Sequence, residues 1–153
     1  MKPTKFISIF KIVSLFILTV VLISCGTGQM KIVVPKGFTG KIYLVLSTQD
    51  TNILNIDSNG IGYINEQTFN RTTVKPKIFE SDGTDISKYG VGFNPSAFWS
   101  KGKFAFIDMA SKHTTKEIEY LSFLISHSSG DEVKTANGIN LNELVDHSKI
   151  FYR

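Results

Sequence analysis

A short, almost wholly apolar run at Lys41 to Ser47 constrains the fold of this chain more than any other feature. In a β-strand, Ile42, Leu44 and Leu46 lie on one face, and Tyr43 and Val45 lie on the other. Neither face is polar, so we predict a central strand that is covered on both sides.

The rest of the chain contains further short apolar runs separated by turn residues. This spacing favours an all-β sandwich or barrel. Pro76 interrupts one run and indicates an edge or a break there. We predict strands in the following segments: Met30 to Val34, Lys41 to Ser47, Ile53 to Ile56, Ile61 to Ile64, Thr72 to Phe79, Lys103 to Met109 and Glu117 to Ser126.

Two local signals add a hairpin and a helix to this pattern. Asn59-Gly60 separates two apolar runs, and both residues tolerate positive φ, which predicts a tight hairpin turn. Near the C-terminus, Asn140 and Glu143 have the spacing of a capping box, which predicts one short helix. Residues 150–152 form a last strand or pack onto the sheet.

The first 24 residues have the pattern of an export signal. Lys2, Lys5 and Lys11 precede an apolar segment, Ile12 to Ile23. No acidic residue occurs before Asp50. Twelve helical residues span about 18 Å, whereas a bilayer core is roughly 30 Å thick. The segment is therefore too short for an ordinary membrane span and suits a signal-peptide core.

The export segment ends in Leu22-Ile23-Ser24-Cys25, followed by Gly26, and Cys25 is the only cysteine in the chain. This sequence resembles a bacterial lipobox, with Leu22, Ile23 and Ser24 as the signal cleavage motif. The resemblance implies that Cys25 is acylated and becomes the first residue of the mature protein. Because Gly26 is not an aspartate, it implies an outer-membrane destination, on the periplasmic or the surface face.

Cleavage after residue 24 changes the charge of the chain. It removes three lysines and no acidic residue, so the formal charge falls from +4 to about +1. A nearly neutral domain without a basic run does not favour a nucleic-acid partner. We predict a signal peptide at 1–24, a lipidated cysteine with a short tether at 25–29, and one folded domain at 30–153.

The segment from Val34 to Leu46 reads Val-Pro-Lys-Gly-Phe-Thr-Gly-Lys-Ile-Tyr-Leu-Val-Leu. Together with the hairpin signal at Asp57 to Ile61, it resembles a family of small bacterial lipoproteins with a carboxypeptidase-regulatory, transthyretin-like domain. The resemblance covers Met30 to Asn94. It implies a single antiparallel β-sandwich that acts as a non-catalytic accessory module, and it brings no catalytic residues.

Candidates for catalysis or metal binding are weak. No two histidines have the i,i+4 spacing that places two ligands on one helix face. Glu117 and Glu119 fit the polar face of a half-buried strand. Glu80, Asp82 and Asp85 fit a solvated loop better than a cation site. We therefore predict no catalytic residue, no metal and no cofactor.

The predicted function is a non-catalytic binding or structural module that holds a protein or glycan partner at the membrane, to which its lipid anchor attaches it. Phe38, Phe98 and Trp99 are the candidate surface anchors, with Trp99 expected to be partly exposed beside a turn. One alternative is an envelope hydrolase or transferase that brings Asp82 and Asp85 together with a histidine. Another is a periplasmic inhibitor or immunity lipoprotein.

Overall fold

A computed structural model describes residues 29–107, 115–127 and 140–152. The predicted signal peptide, its cleavage motif and Cys25 lie outside the described residues. The fold is mostly β, with curled sheets and few helices. The strands are β1 (Lys31–Val34), β2 (Gly40–Ser47), β3 (Ile61–Asn65), β4 (Lys77–Glu80), β5 (Gly90–Val91), β6 (Ser100–Ile107) and β7 (Thr115–Ile125). The helices are α1 (Glu66–Arg71) and α2 (Leu141–Leu144), and 3-10 turns occur at Ser87–Tyr89 and His147–Lys149.

The strands form two sheets. In the larger sheet, β2 lies between β3, which is parallel to it, and β7, which is antiparallel. Strands β5 and β6 both pair with β7 in antiparallel fashion. In the smaller sheet, β1 and β4 are parallel. The prediction that all strands pair in antiparallel fashion is therefore wrong for β2–β3 and for β1–β4.

Backbone hydrogen bonds through residues 53–56 join the two sheets. Val33 of β1 donates its N–H to Leu54 O at 2.9 Å and accepts from Ile56 N at 2.8 Å. Ile53 in turn exchanges two bonds with Tyr63 of β3, at 2.7 and 2.9 Å. The sheets consequently curl around a shared interior.

The larger sheet separates two apolar clusters. The first cluster lies between the sheets, and the second lies on the opposite face of the larger sheet, where the C-terminal segment 140–152 covers it. Buried members of the first cluster include Ile32, Ile42, Leu44, Leu46, Ile78, Leu121 and Phe123. Those of the second are Val45, Ile61, Tyr63, Ile118, Leu141, Val145 and Ile150.

The prediction for the run at residues 41–47 is confirmed. Ile42, Leu44 and Leu46 are fully buried in the first cluster, and Val45 is fully buried in the second. Tyr43 packs against the second cluster as well. The alternation in β2 therefore supplies apolar side chains to both cores.

The Asn59-Gly60 turn is confirmed, but the strand pairing around it differs from a simple hairpin. Gly60 has a φ of 83°, and the Asp57 carboxylate accepts the N–H groups of Asn59 and Ile61 at 2.9 and 2.8 Å. Before the turn, Ile53 makes a single bridge to Tyr63, whereas β3 as a whole pairs with β2. A turn signal fixes local geometry, and burial of both faces of β3 selects its main partner.

The helices were only partly predicted. Helix α2 follows Asn140 as expected, but the Asn140 side chain donates to Glu143 Oε1 at 2.5 Å and makes no capping bond to the backbone. Helix α1 was missed. The Asn65 side chain caps this helix by accepting the N–H of Thr68 at 2.8 Å, and Phe69 is the buried residue of the helix. The signal for α1 was an Asn cap followed by an acidic first turn.

The strands predicted at Thr72 to Phe79 and at Lys103 to Met109 match the structure approximately. β4 begins directly after Pro76, as the proline indicated. Alternation in the second of these segments predicts that Phe104 and Phe106 face the interior, with Ile107 as a further candidate. Phe104 and Phe106 of β6 do pack against the second cluster. Ile107 was a candidate for the interior and is instead 64% exposed, because burial alternates regularly along β6.

Asp146 holds the C-terminal segment in place. Its backbone N–H donates to the Tyr63 hydroxyl at 2.7 Å, and its carboxylate accepts from the backbone N–H and the hydroxyl of Ser148. The same carboxylate pairs with Lys149 Nζ at 2.5 Å. These contacts lower the pKa of Asp146 from 3.8 to about 2, with the Lys149 bond as the largest cause and the Ser148 bonds next.

The Asp146 pKa predicts an acid-dependent loss of stability. Because the pKa is lower in the folded state, the ionised carboxylate stabilises the fold fully above pH 3.8, and this contribution disappears as the pH falls towards 2. Asp146→Asn should therefore be less stable than the unaltered chain at pH 7, and the difference should shrink below pH 4. Urea unfolding midpoints at several pH values measure it. An unchanged difference down to pH 2 would contradict this role of the charge.

Candidate functional site

Trp99 is a core residue, so the expectation of an exposed anchor is wrong. Its side chain is 8% exposed and packs edge-on against Phe123, with ring centroids 5.3 Å apart. The indole Nε1 donates to Val74 O at 3.0 Å. Trp99 directly precedes β6, and its side chain is a buried member of the first cluster.

Phe98 and Phe38 are also held against the first cluster. Both rings are half-buried. Phe98 lies 5.2 Å from Phe123, centroid to centroid. Phe38 packs beside Gly60, where its Cζ would lie 3.2 Å from a Cβ at that position. These aromatic rings therefore support the fold at least as much as they face solvent.

The exposed aromatic residue in this region is Phe93, which is 68% exposed. It stands at the base of a tight turn, Phe93 to Phe98, which we call the Phe93 hairpin. Phe93 N donates to Phe98 O at 3.0 Å, and Asn94 Oδ1 accepts the N–H groups of Ser96 and Ala97 at 2.8 Å each. The hairpin is thus braced internally while its aromatic side chain faces solvent.

Two exposed valines accompany Phe93. Val91, two residues earlier in the chain, is 47% exposed, and Val74 is 63% exposed. The bond from Trp99 to Val74 O, together with a bond from Lys75 Nζ to Gly90 O at 2.8 Å, holds the Val74 segment beside the hairpin. We call Val74, Val91 and Phe93 the apolar patch.

A groove adjoins the patch at Val74. Its volume is about 640 Å³, within the range of small-molecule sites. The lining combines amide and hydroxyl groups, a few apolar side chains and one arginine. The lining residues are Gln29, Met30, Asn52, Leu54, Gln67, Thr68, Arg71, Thr72, Thr73 and Val74.

Sequence reasoning missed both the patch and the groove. The pattern of Gly90 to Pro95 predicts a loop or bulge, and the position of Phe93 beside Asn94-Pro95 was the available signal. The groove has no local signal, because its lining comes from segments as distant in sequence as Gln29 and Val74.

The acidic loop is bound up in local structure. Asp82 accepts Thr84 N at 3.0 Å and pairs with Lys36 at 3.1 Å, and Asp85 accepts Ser87 N at 2.8 Å. The hydrogen bonds to Thr84, followed by that to Lys36, lower the pKa of Asp82 to about 2. Within residues 29–107, 115–127 and 140–152, no three His, Cys, Asp or Glu residues form a group that could hold a metal ion.

The described histidines contact other partners than the acidic loop. His127 packs on Tyr89, with ring centroids 4.2 Å apart. His147 bonds the Tyr152 hydroxyl and, at 2.7 Å, Asn142 O. His113 lies outside the described residues. The contacts of Asp82 and Asp85 therefore do not join them to either described histidine.

Glu119 departs from the predicted polar strand face. It is 6% exposed, and Lys103 Nζ lies 2.9 Å from both Glu119 and Glu117. Lys103 sits opposite Glu119 in the β6–β7 register. The bonds to Glu117 and then Glu119 raise the pKa of Lys103. Strand pairing thus buries a carboxylate that alternation alone places in solvent.

Comparisons with known proteins add no relative. No protein-family model, curated protein or solved structure matches the chain. Among the described residues, no helix combines the length and apolar character needed to cross a membrane.

Proposed function

We propose that this protein is a lipid-anchored component of the bacterial cell envelope whose folded domain is a non-catalytic module that binds a protein partner. The lipobox-like sequence ending at Cys25 supports the anchor and an outer-membrane location. We further propose that the two curled sheets form a β-sandwich, the architecture that the resemblance of Val34 to Leu46 implies, with parallel pairing at β1–β4 and β2–β3.

The observation that carries the binding role is the exposure of Phe93 on a braced hairpin. Fully burying such a side chain contributes about 1.5–3 kcal/mol. A rigid hairpin loses little conformational entropy when it binds, so more of that free energy is available for affinity. Phe93 therefore has the properties of an interface anchor.

The composition of the patch favours a protein partner over a glycan. Val74 and Val91 are aliphatic, and the bonds from Trp99 to Val74 O and from Lys75 to Gly90 O join the segments that carry them. The buried centres of protein interfaces are apolar and enriched in aromatic residues. A hydroxyl-rich glycan would leave the two valines without a matching surface.

Removing the Phe93 ring should abolish partner capture. We expect Phe93→Ser to reduce the yield of a cross-linked partner, recovered from intact cells with the tagged protein, at least about tenfold. That factor corresponds to 1.4 kcal/mol, less than a typical interface hot spot contributes. Mass spectrometry of the captured material, normalised to the amount of tagged protein, gives the yield.

Ile107→Ser is the matched control, because Ile107 is 64% exposed and lies on β6, outside the patch. It should leave capture unchanged. Equal capture by the unaltered chain and by Phe93→Ser would overturn the proposed surface. Failure to capture any protein, under several growth conditions, would overturn the protein partner and favour the glycan.

A further inference from the structure

Among the described residues that line the groove, Arg71 is the only charged one. It is exposed at the end of α1 and lines the groove. In the part of the chain that the structure describes, its guanidinium has no carboxylate, carbonyl or aromatic partner. No carboxylate lines the groove with it.

The lysines of the described residues, by contrast, all have partners within the chain. Three pair with carboxylates: Lys36, Lys103 and Lys149. Several lie over aromatic rings: Lys31, Lys41, Lys75, Lys88, Lys101 and Lys116. Lys77 interacts electrostatically with Asp85. Among the described lysine and arginine side chains, Arg71 is therefore the one without a partner in the chain, and it is available to bind an external anion.

The surroundings of Arg71 are already ordered. Asn52 donates to Thr68 Oγ1 at 3.0 Å and accepts Asn65 N at 2.9 Å. Thr72 Oγ1 donates to Thr68 O at 2.6 Å. Side chains fixed in this way form a polar wall that needs little rearrangement to receive a ligand.

We infer that the groove binds a small phosphate ester, with Arg71 as its anion-binding residue. A guanidinium offers a planar pair of N–H donors that matches two phosphate oxygens. The amide of Gln67 and the hydroxyl of Thr73 line the same groove and can bond ester or alcohol oxygens. Met30 and Leu54 provide apolar contact for a short carbon chain.

The phosphate ester has two sources, a lipid headgroup or a soluble metabolite. Gln29 lines the groove and lies four residues after Cys25, a distance of at most about 14 Å in an extended chain. If Cys25 carries the lipid, the groove lies close to the headgroups. Only this choice of source rests on the proposed anchor; the Arg71 site does not.

The test uses the full-length chain in dodecyl maltoside micelles, which contain no phosphate. The chain has one tryptophan, and its indole N–H bonds the carbonyl of Val74 in the groove. The indole resonance of Trp99 therefore reports on the groove. We expect glycerol 3-phosphate to shift it saturably, and Arg71→Gln to weaken binding about tenfold or more. Lys77→Gln removes the same charge elsewhere and should change affinity less than twofold.

The source is then identified by adding phosphatidylglycerol to the micelles. If the ligand is a lipid headgroup, phosphatidylglycerol shifts the same resonance and displaces glycerol 3-phosphate. If the ligand is a soluble metabolite, phosphatidylglycerol does neither. Absence of a saturable shift with both probes would overturn the site. An equal loss of affinity for glycerol 3-phosphate in Arg71→Gln and Lys77→Gln would overturn it as well. Phe93→Ser should retain the shift, so loss of the partner surface and loss of the groove are separable.

Discussion

Gly60→Ala should destabilise the fold by about 2–5 kcal/mol. Gly60 has a φ of 83°, which costs an L-residue roughly 1–2 kcal/mol. A Cβ there would also collide with the backbone carbonyl of Lys41 and approach Phe38 Cζ to 3.2 Å. Because Gly60 O accepts Tyr43 N at 2.8 Å, the turn cannot move away without breaking its bond to β2.

Gly83→Ala is the matched control for this prediction. Gly83 has a φ of 90°, but a Cβ at that position has nothing within 4 Å. Its cost should be limited to the backbone strain, roughly 1–2 kcal/mol. Urea unfolding, followed by circular dichroism, gives both values. Equal destabilisation by the two substitutions would show that the contact between the turn and β2 contributes nothing.

Cys25→Ser should release the protein from the membrane. Without the thiol no thioether to a glyceride can form, and each methylene withdrawn from the bilayer forfeits about 0.8 kcal/mol. Two or three acyl chains represent most of the expected membrane affinity of a nearly neutral domain. The expected product is an unprocessed precursor or a soluble form, detected by fractionation and by metabolic labelling with palmitate.

Ser24→Ala provides the comparison, because it keeps a small residue before the cysteine. This variant should be processed, labelled and retained in the membrane. A Cys25→Ser protein that loses its signal peptide and still partitions fully into membranes would disprove the lipid anchor. Neither result depends on the Phe93 surface or on the groove.

The strand run at residues 41–47 was predictable because its alternation supplies apolar side chains to both faces. The same reasoning recovered β7 and the inward Phe104 and Phe106. It failed for pairing direction, since the Asn59-Gly60 signal does not reveal that β3 pairs chiefly with β2. Parallel pairing depends on contacts between segments that are distant along the chain.

The candidate site was harder to predict than the fold. Aromatic content near Trp99 indicated an interaction surface, but composition cannot say which ring faces outward. The hydrogen bond from Trp99 to Val74 holds the indole in the core, while Phe93 remains exposed. Glu119 shows the same limit, because its burial depends on Lys103 from the neighbouring strand.

The sequence alone determined the β-rich class, the doubly covered strand β2 and the prediction of a lipid anchor at Cys25. These features reside in short stretches, where side-chain alternation and local turn chemistry act within a few residues. Only the tertiary structure decided which aromatic rings are buried, and only it assembled the groove between Gln29 and Val74. Burial and cavity shape arise from packing between segments that no short stretch of sequence specifies.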